Sequence, residues 1–171
     1  MSTLTLKELS APTGEVIKIA AGKTLDLKSQ GSVTMPTGSV LQVVSVQGAL
    51  VSTVSVTSFT DVIKASITPK SSSSTITIQV VMRWQEAAST TSFKARLFDK
   101  TNSTLVNGGG PYGQYNSGST NVISMYPMNG VVSNTTTTAR EYSFQVYRIG
   151  NAVSIDVNGY ETTLIITEIQ G

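Results

Sequence analysis

Cysteine and histidine are both missing from the 171 residues. Without cysteine there is no disulfide framework, no thiolate zinc site and no thiol redox chemistry. Without histidine, a Ser-His-Asp triad and an imidazole metal ligand are excluded. Charge is scarce as well: 13% of residues are charged, about half of the ~25% usual for soluble domains. Twelve Lys and Arg against ten Asp and Glu leave a net charge of +2 and a pI near 8.9. Lys7, Lys18, Lys23 and Lys28 form no run, so no nucleic-acid partner is expected. No apolar stretch approaches the roughly 18 residues of a membrane span. Met1-Ser2-Thr3 opens no signal segment, so cytosolic synthesis without a membrane span is the expectation. A helical period sustained over ten or more residues is also missing.

Hydroxyl side chains take the place of charge, with 23 Ser and 24 Thr. Threonine favours strands, and both residues keep a β surface wetted without long charged side chains. The composition is that of an all-β protein. A chain of this length buries roughly 70% of its unfolded surface on folding, enough for one domain and an appendage.

Gly14, Gly22, Gly31 and Gly38 are eight, nine and seven residues apart, and each opens a short apolar alternation. Ile17 and Ile19, Leu25 and Leu27, and Leu41 and Val43 follow at the third and fifth positions; Val33 and Met35 follow Gly31 one place earlier. A two-residue period marks a strand with one buried face. Strands so short have no local core, so other copies of the chain are expected to cover them. An extended arm lying on a globular domain is the alternative.

Longer strands follow. Residues 40–56 are valine-rich and broken near Gln47-Gly48; a second strand spans 59–67 and ends before Pro69. Ile76, Ile78, Val80, Met82 and Trp84 alternate without interruption, which predicts a central strand. Phe93, Ala95 and Leu97 share one face of the next. Residues 100–138 read as polar and irregular: 107–111 is a Gly-Pro break, Asn129-Gly130 a tight turn, and 135–138 a loop. Val122, Ile123 and Met125 suggest one strand among them. A three-stranded meander is predicted at the end. Tyr142, Phe144 and Val146 are followed by a Gly150-Asn151 turn, then Val153, Ile155 and Val157, an Asn158-Gly159 turn, and Leu164, Ile165, Ile166 and Ile169.

No two of the ten carboxylates pair on one predicted strand face, as a glycosidase would require. No phosphate loop, dinucleotide fingerprint or EF-hand loop is present. Neither an enzymatic activity, a cofactor nor a metal is expected. Recognition character is confined to residues 110–127, where Tyr112, Tyr115, Asn116 and Tyr126 are the candidate ligand-binding residues. Tyrosine faces stack on sugar rings and amides pair with hydroxyls. The alternative is that these tyrosines pin a long loop to the domain.

The segments 21–27 (AGKTLDL) and 35–44 (MPTGSVLQVV), with 57–61 (TSFTD), 66–69 (SITP) and 162–169 (TTLIITEI), resemble the shaft-to-head junction of tailed-phage virion proteins. These are tail fibres or, more broadly, virion structural proteins of the short-fibre type. The resemblance implies a homotrimeric appendage that docks to the particle through its N-terminal region and carries a β-rich head. It implies no shared catalytic residue. The expected fold is therefore all-β: a repetitive, intertwined N-terminal β stalk over residues 1–44, then an antiparallel, jelly-roll-like β-sandwich head over 45–171. Expected partners are the chain itself, other tail or capsid proteins and a host-surface glycan, and the expected location is the virion surface. A capsid fibre, decoration or connector protein with no receptor role is the alternative; a non-viral carbohydrate-binding module is a third reading.

Overall fold

The computed structural model describes residue 21 and residues 35–86, 91–109, 114–116, 123–156 and 161–171. The chain divides into a unit at Met1–Thr34, almost wholly outside the described residues, and a compact unit at Met35–Gly171. In the second unit the strands are β1 (Val40–Gln47), β2 (Thr53–Val54), β3 (Thr60–Ile67), β4 (Thr75–Glu86), β5 (Thr91–Asp99) and β6 (Thr104–Gly108). They continue with β7 (Gln114–Asn116), β8 (Ile123–Ser133), β9 (Arg140–Arg148), β10 (Val153–Ile155) and β11 (Thr163–Ile169). No helix occurs among the described residues.

Strand β4 organises the first sheet. Ile76, Ile78, Val80, Met82 and Trp84 are all at most 1% exposed, as their unbroken alternation predicts. One edge of β4 pairs with β8 along eleven residues. The other edge is shared: β11 takes Thr75 to Val81 and β10 takes Trp84 to Glu86. Beyond these, β1 pairs with β11 and β2 with β10. Thus β1 and β2 form one interrupted ribbon, and β10 and β11 another. In the second sheet β9 lies between β3 and β5, and the far edge of β5 is shared end to end by β6 and β7.

Eight ribbons result, four to a sheet. In chain order they stand 1-8-3-6 in the first sheet and 2-7-4-5 in the second, every neighbouring pair antiparallel. The chain crosses between sheets at most connections, which is the doubled Greek key of a jelly roll. All-β, antiparallel sandwich architecture is therefore as the sequence predicts. Aromatic rings knit the two sheets. Trp84 of β4 meets Phe93 of β5 at 5.1 Å, Phe93 meets Tyr126 of β8 at 5.3 Å, and Tyr126 meets Phe144 of β9 at 6.3 Å. Each such pair contributes about 0.5–1.5 kcal/mol beyond its area burial.

Both interrupted ribbons of the first sheet break at the same level, and one side chain closes the gap. Asp156, with φ +56°, accepts from the Thr162 amide at 2.7 Å, from the buried Thr162 hydroxyl and from the Ala49 amide. Gly48, at φ +87°, turns the opposite chain out of the ladder and donates to the Thr162 carbonyl at 2.9 Å. Asparagine and aspartate tolerate this left-handed region better than other side chains.

Four expectations need correction. The C-terminal meander does not form: β9 belongs to the second sheet, and β10 and β11 lie end to end along β4. The inward faces of β9 and β10 were read rightly, since Tyr142, Phe144, Val146, Val153 and Ile155 are all buried, while in β11 Leu164 and Ile166 are buried and Ile165 and Ile169 are not; Val157 and Asn158-Gly159 lie outside the described residues. Asn129-Gly130 is no turn but the middle of β8, paired with Gln79 and Ile78. The 107–111 break begins later than expected, because β6 runs through Asn107 to Gly108. The compact unit starts at Met35 rather than residue 45. Leu41 and Val43 lie in β1, which is hydrogen-bonded to β11, and so within the sandwich.

Packing explains the glycine in β8. A Cβ at Gly130 would lie 2.6 Å from Val106 Cγ1 and 3.3 Å from Leu97 Cδ1, so only glycine lets β6 close over β8. Gly130→Ala is expected to destabilise the unit by about 1–3 kcal/mol, read as a lowered urea midpoint with unchanged denaturant slope.

Candidate functional site

The sandwich has two unlike outer faces and two unlike ends. Outward residues of the first sheet fall in rows across its strands: Val43-Thr167-Thr77-Val131, Ser45-Ile165-Gln79-Asn129 and Gln47-Thr163-Val81-Pro127. Among the described outward-facing strand residues of this sheet, Arg83 alone is charged. Val43, Val81, Met125 and Val131 are 58%, 42%, 63% and 67% exposed. A groove of about 410 Å³ runs between Gln79, Val81, Pro127, Asn129, Thr163 and Ile165. The face is thus apolar, hydroxyl-bearing and nearly free of charge.

Charge is concentrated on the second sheet, where most of it is internally matched. The Arg96 guanidinium lies 3.9 Å from the Phe59 ring centroid and 4.3 Å from that of Phe98, and its Nε donates to Gln145 Oε1 at 2.6 Å. Gln145 donates in turn to Asp61 at 2.6 Å, as does Ser143 at 2.7 Å, and Lys100 forms an ion pair with the same carboxylate. Burial pushes the Asp61 carboxyl up, but the donors from Lys100, Ser143 and Gln145 outweigh it and hold the group below its ordinary value. Lys94 lies over the Tyr147 ring at 5.2 Å, and Lys64 pairs with Glu141 at 2.9 Å.

One end of the sandwich is pinned by buried polar groups. Arg140 pairs with Asp99, both nearly inaccessible, and donates to Asn134 Oδ1 at 3.2 Å. Asn134 Nδ2 in turn donates to the carbonyls of Ser71 and Thr136, each at 2.7 Å. Asp99 also accepts from the amide and the side chain of Asn102, both at 3.0 Å. Glu168 is wholly buried on β11 and accepts from the amides of Lys70 and Ser71 and from Gln42 Nε2 at 2.6 Å. Burial raises its carboxyl, yet the Lys70 amide, Gln42, Ser74 and the Ser71 amide together hold it below the usual range. Met35 and Gly171 flank this end, where Gly38 donates to Gln170 and Gln170 to Ser39. The strand ends flanking residues 87–90 and 117–122 lie at the opposite end.

The sequence-predicted site is only partly assembled. Tyr112 lies outside the described residues. Tyr115 and Asn116 lie on β7, opposite Ser92 and Thr91 of β5. Tyr126 is partly buried, its ring packed edge-on against Phe93 and tilted against Phe144. Of the stalk residues, Ile17, Ile19, Leu25, Leu27 and Val33 lie outside the described residues, and Met35 is 40% exposed just before β1. Glu168 was missed, although the Leu164, Ile166, Glu168 alternation would have turned it inward. Among the described residues no group of three or more carboxylates could hold a metal ion.

The strand order and these faces define a jelly-roll unit with no catalytic constellation among the described residues. No protein-family model matches the sequence, and no curated protein matches it. A solved structure of infectious bursal disease virus VP2 is similar in fold. The VP2 subviral particle matches with a TM-score of 0.53 at 14% identity, over 87% of this chain and 37% of that one. The Gx strain structure matches with a TM-score of 0.49 at 15% identity, over 87% and 36%. The chain therefore spans little more than a third of the VP2 chains it resembles, and the likeness at this identity is one of fold.

Glu168 has a lower carboxyl pKa folded than unfolded, so the unfolded chain binds its proton first. Its stabilisation is complete above the unfolded value of about 4.3 and is lost as pH falls through the folded value. Glu168→Gln is expected to cost about 1.5–3 kcal/mol at neutral pH and to flatten the acid limb of stability against pH, measured by urea unfolding across the acid range.

Proposed function

We propose that this chain is a structural protein of a virus particle, acting as a capsid fibre, decoration or connector protein that assembles with its own copies. The fold likeness to VP2 of a subviral particle, at a TM-score of 0.53 over 87% of this chain, carries this reading. This is an argument from fold, and fold alone does not assign function. The faces supply the second support.

The nearly charge-free side of the first sheet suits contact with a second copy. Near a symmetry axis each side chain meets its own equivalents, so an ionised group there faces like charge. A face of valine, threonine, methionine and amide side chains avoids that repulsion. Burial of Val43, Val81, Met125 and Val131 supplies attraction of about 25 cal/mol per Å². A homotrimer is the assembly proposed.

Host adhesion, as at the head of a tail fibre, is the second reading. It is favoured by the strand ends flanking residues 117–122, which lie opposite the end that holds Met35. In that reading residues 110–122, with Tyr112 and Tyr115, bind a surface glycan.

Light scattering on the 18.0 kDa chain tests the first reading. The expected mass is that of three chains. Val81→Glu and Val131→Lys, both at outward positions, are each expected to weaken association on the order of tenfold, about 1.4 kcal/mol, with unaltered circular dichroism. A monomeric wild-type chain contradicts self-assembly, and assembly unaffected by both substitutions contradicts the choice of face.

A further inference from the structure

The corner where β6 closes over β8 contains two Asn-Gly steps, Asn107-Gly108 and Asn129-Gly130. Asn107 Nδ2 donates to the Asn129 carbonyl at 2.5 Å, and the Gly108 amide lies 2.7 Å from Asn107 Oδ1. We propose that Asn107 is a site of spontaneous deamidation, in which the Gly108 nitrogen attacks the Asn107 side-chain amide.

Proximity is the first ground. With a C=O bond of about 1.23 Å, an oxygen 2.7 Å away places the Asn107 amide carbon within about 4 Å of that nitrogen. The second is the residue at 108. Its φ is +87°, and a Cβ there would lie 2.5 Å from the Ala95 carbonyl oxygen and 2.8 Å from Met128 Cε. Glycine is therefore required at 108, and glycine leaves the attacking nitrogen unshielded by a side chain. The third is the register. The β5–β6 ladder is irregular between Leu97 and Phe98, beside Asn107, which allows the local rotation that ring closure requires. Asn107 is also exposed to the solvent that supplies water.

The chemistry balances with water alone. Solvent base removes the Gly108 amide proton, and the nitrogen forms a bond to Asn107 Cγ. The Cγ–Nδ2 bond then breaks, and nitrogen departs as ammonia, leaving a five-membered succinimide. Water adds to either carbonyl of that ring and opens it to aspartate or isoaspartate, with no change of oxidation state. The new carboxylate has no proton to donate to the Asn129 carbonyl, so the cross-sheet bond is lost and a negative charge appears beside a carbonyl oxygen. The corner loosens where Gly130 and Val106 are packed most closely.

Asn129 is an internal control. It has the same following glycine, but it sits in an unbroken register from Ile123 to Ser133 that opposes the rotation. Peptide mapping by mass spectrometry, after incubation of the folded full chain at mildly alkaline pH, is the test. Asn107 is expected to lose its amide on the order of tenfold faster than Asn129, with isoaspartate among the products. Asn107→Gln, which must form a larger ring, should abolish the change at 107 while keeping the fold. An intact Asn107 amide under conditions where the urea-unfolded chain deamidates there would overturn the proposal, and so would equal rates at Asn107 and Asn129.

Discussion

Both edges of one twelve-residue strand are in use, and that constraint shapes the rest of the unit. β4 pairs with β8 on one side and with β10 and β11 in tandem on the other. Its inward face is apolar from Ile76 to Trp84, so a one-residue slip would turn all five side chains to solvent. The register of three partner strands is thereby set by one. Trp84 extends the control to the second sheet through Phe93, so β5 is placed by packing rather than by hydrogen bonding to β4.

A sandwich without cysteine still needs its irregular segments held, and carboxylates do this here. Asp156 closes the break between β10 and β11, Glu168 anchors residues 70–71, and Asp99 with Arg140 and Asn134 ties together loops at one end. Removing a partner from such a cluster leaves buried donors unsatisfied, which costs more than the bond itself contributes. Asp61, Asp99 and Glu168 all have lowered carboxyl pKa values, so all three contributions weaken together on acidification.

Face assignments were legible in the sequence, and pairings were not. Alternation grouped Ile76 to Trp84 and Phe93 to Leu97 on their buried faces correctly, because period two is a local property of extended backbone. Nothing local in Tyr142 to Ile155 says that β9 and β10 lie in different sheets; Gly150-Asn151 serves a crossover as well as a hairpin. Asn129-Gly130 misled for a related reason. Its glycine answers to Val106 and Leu97, residues far away in sequence. The sequence left Tyr126 open between ligand binding and pinning a loop because its neighbours are polar, yet Met128 and Val132 continue its inward face. The boundary at residue 44 failed because Leu41 and Val43 carry the same apolar period as the preceding glycine-opened segments.

The two outer faces divide the labour that the proposed function requires. Charge and rings on the second sheet satisfy one another, whereas the first sheet presents valine, methionine and threonine to whatever covers it. All of this presupposes β4 as the last strand to let go. Hydrogen exchange of the backbone amides at several urea concentrations measures that directly. Amides of β4 should exchange slowest and only through global unfolding, with β6 and β7 opening earlier. Exchange of the β4 amides through a local, urea-insensitive opening would contradict its place at the centre of the fold.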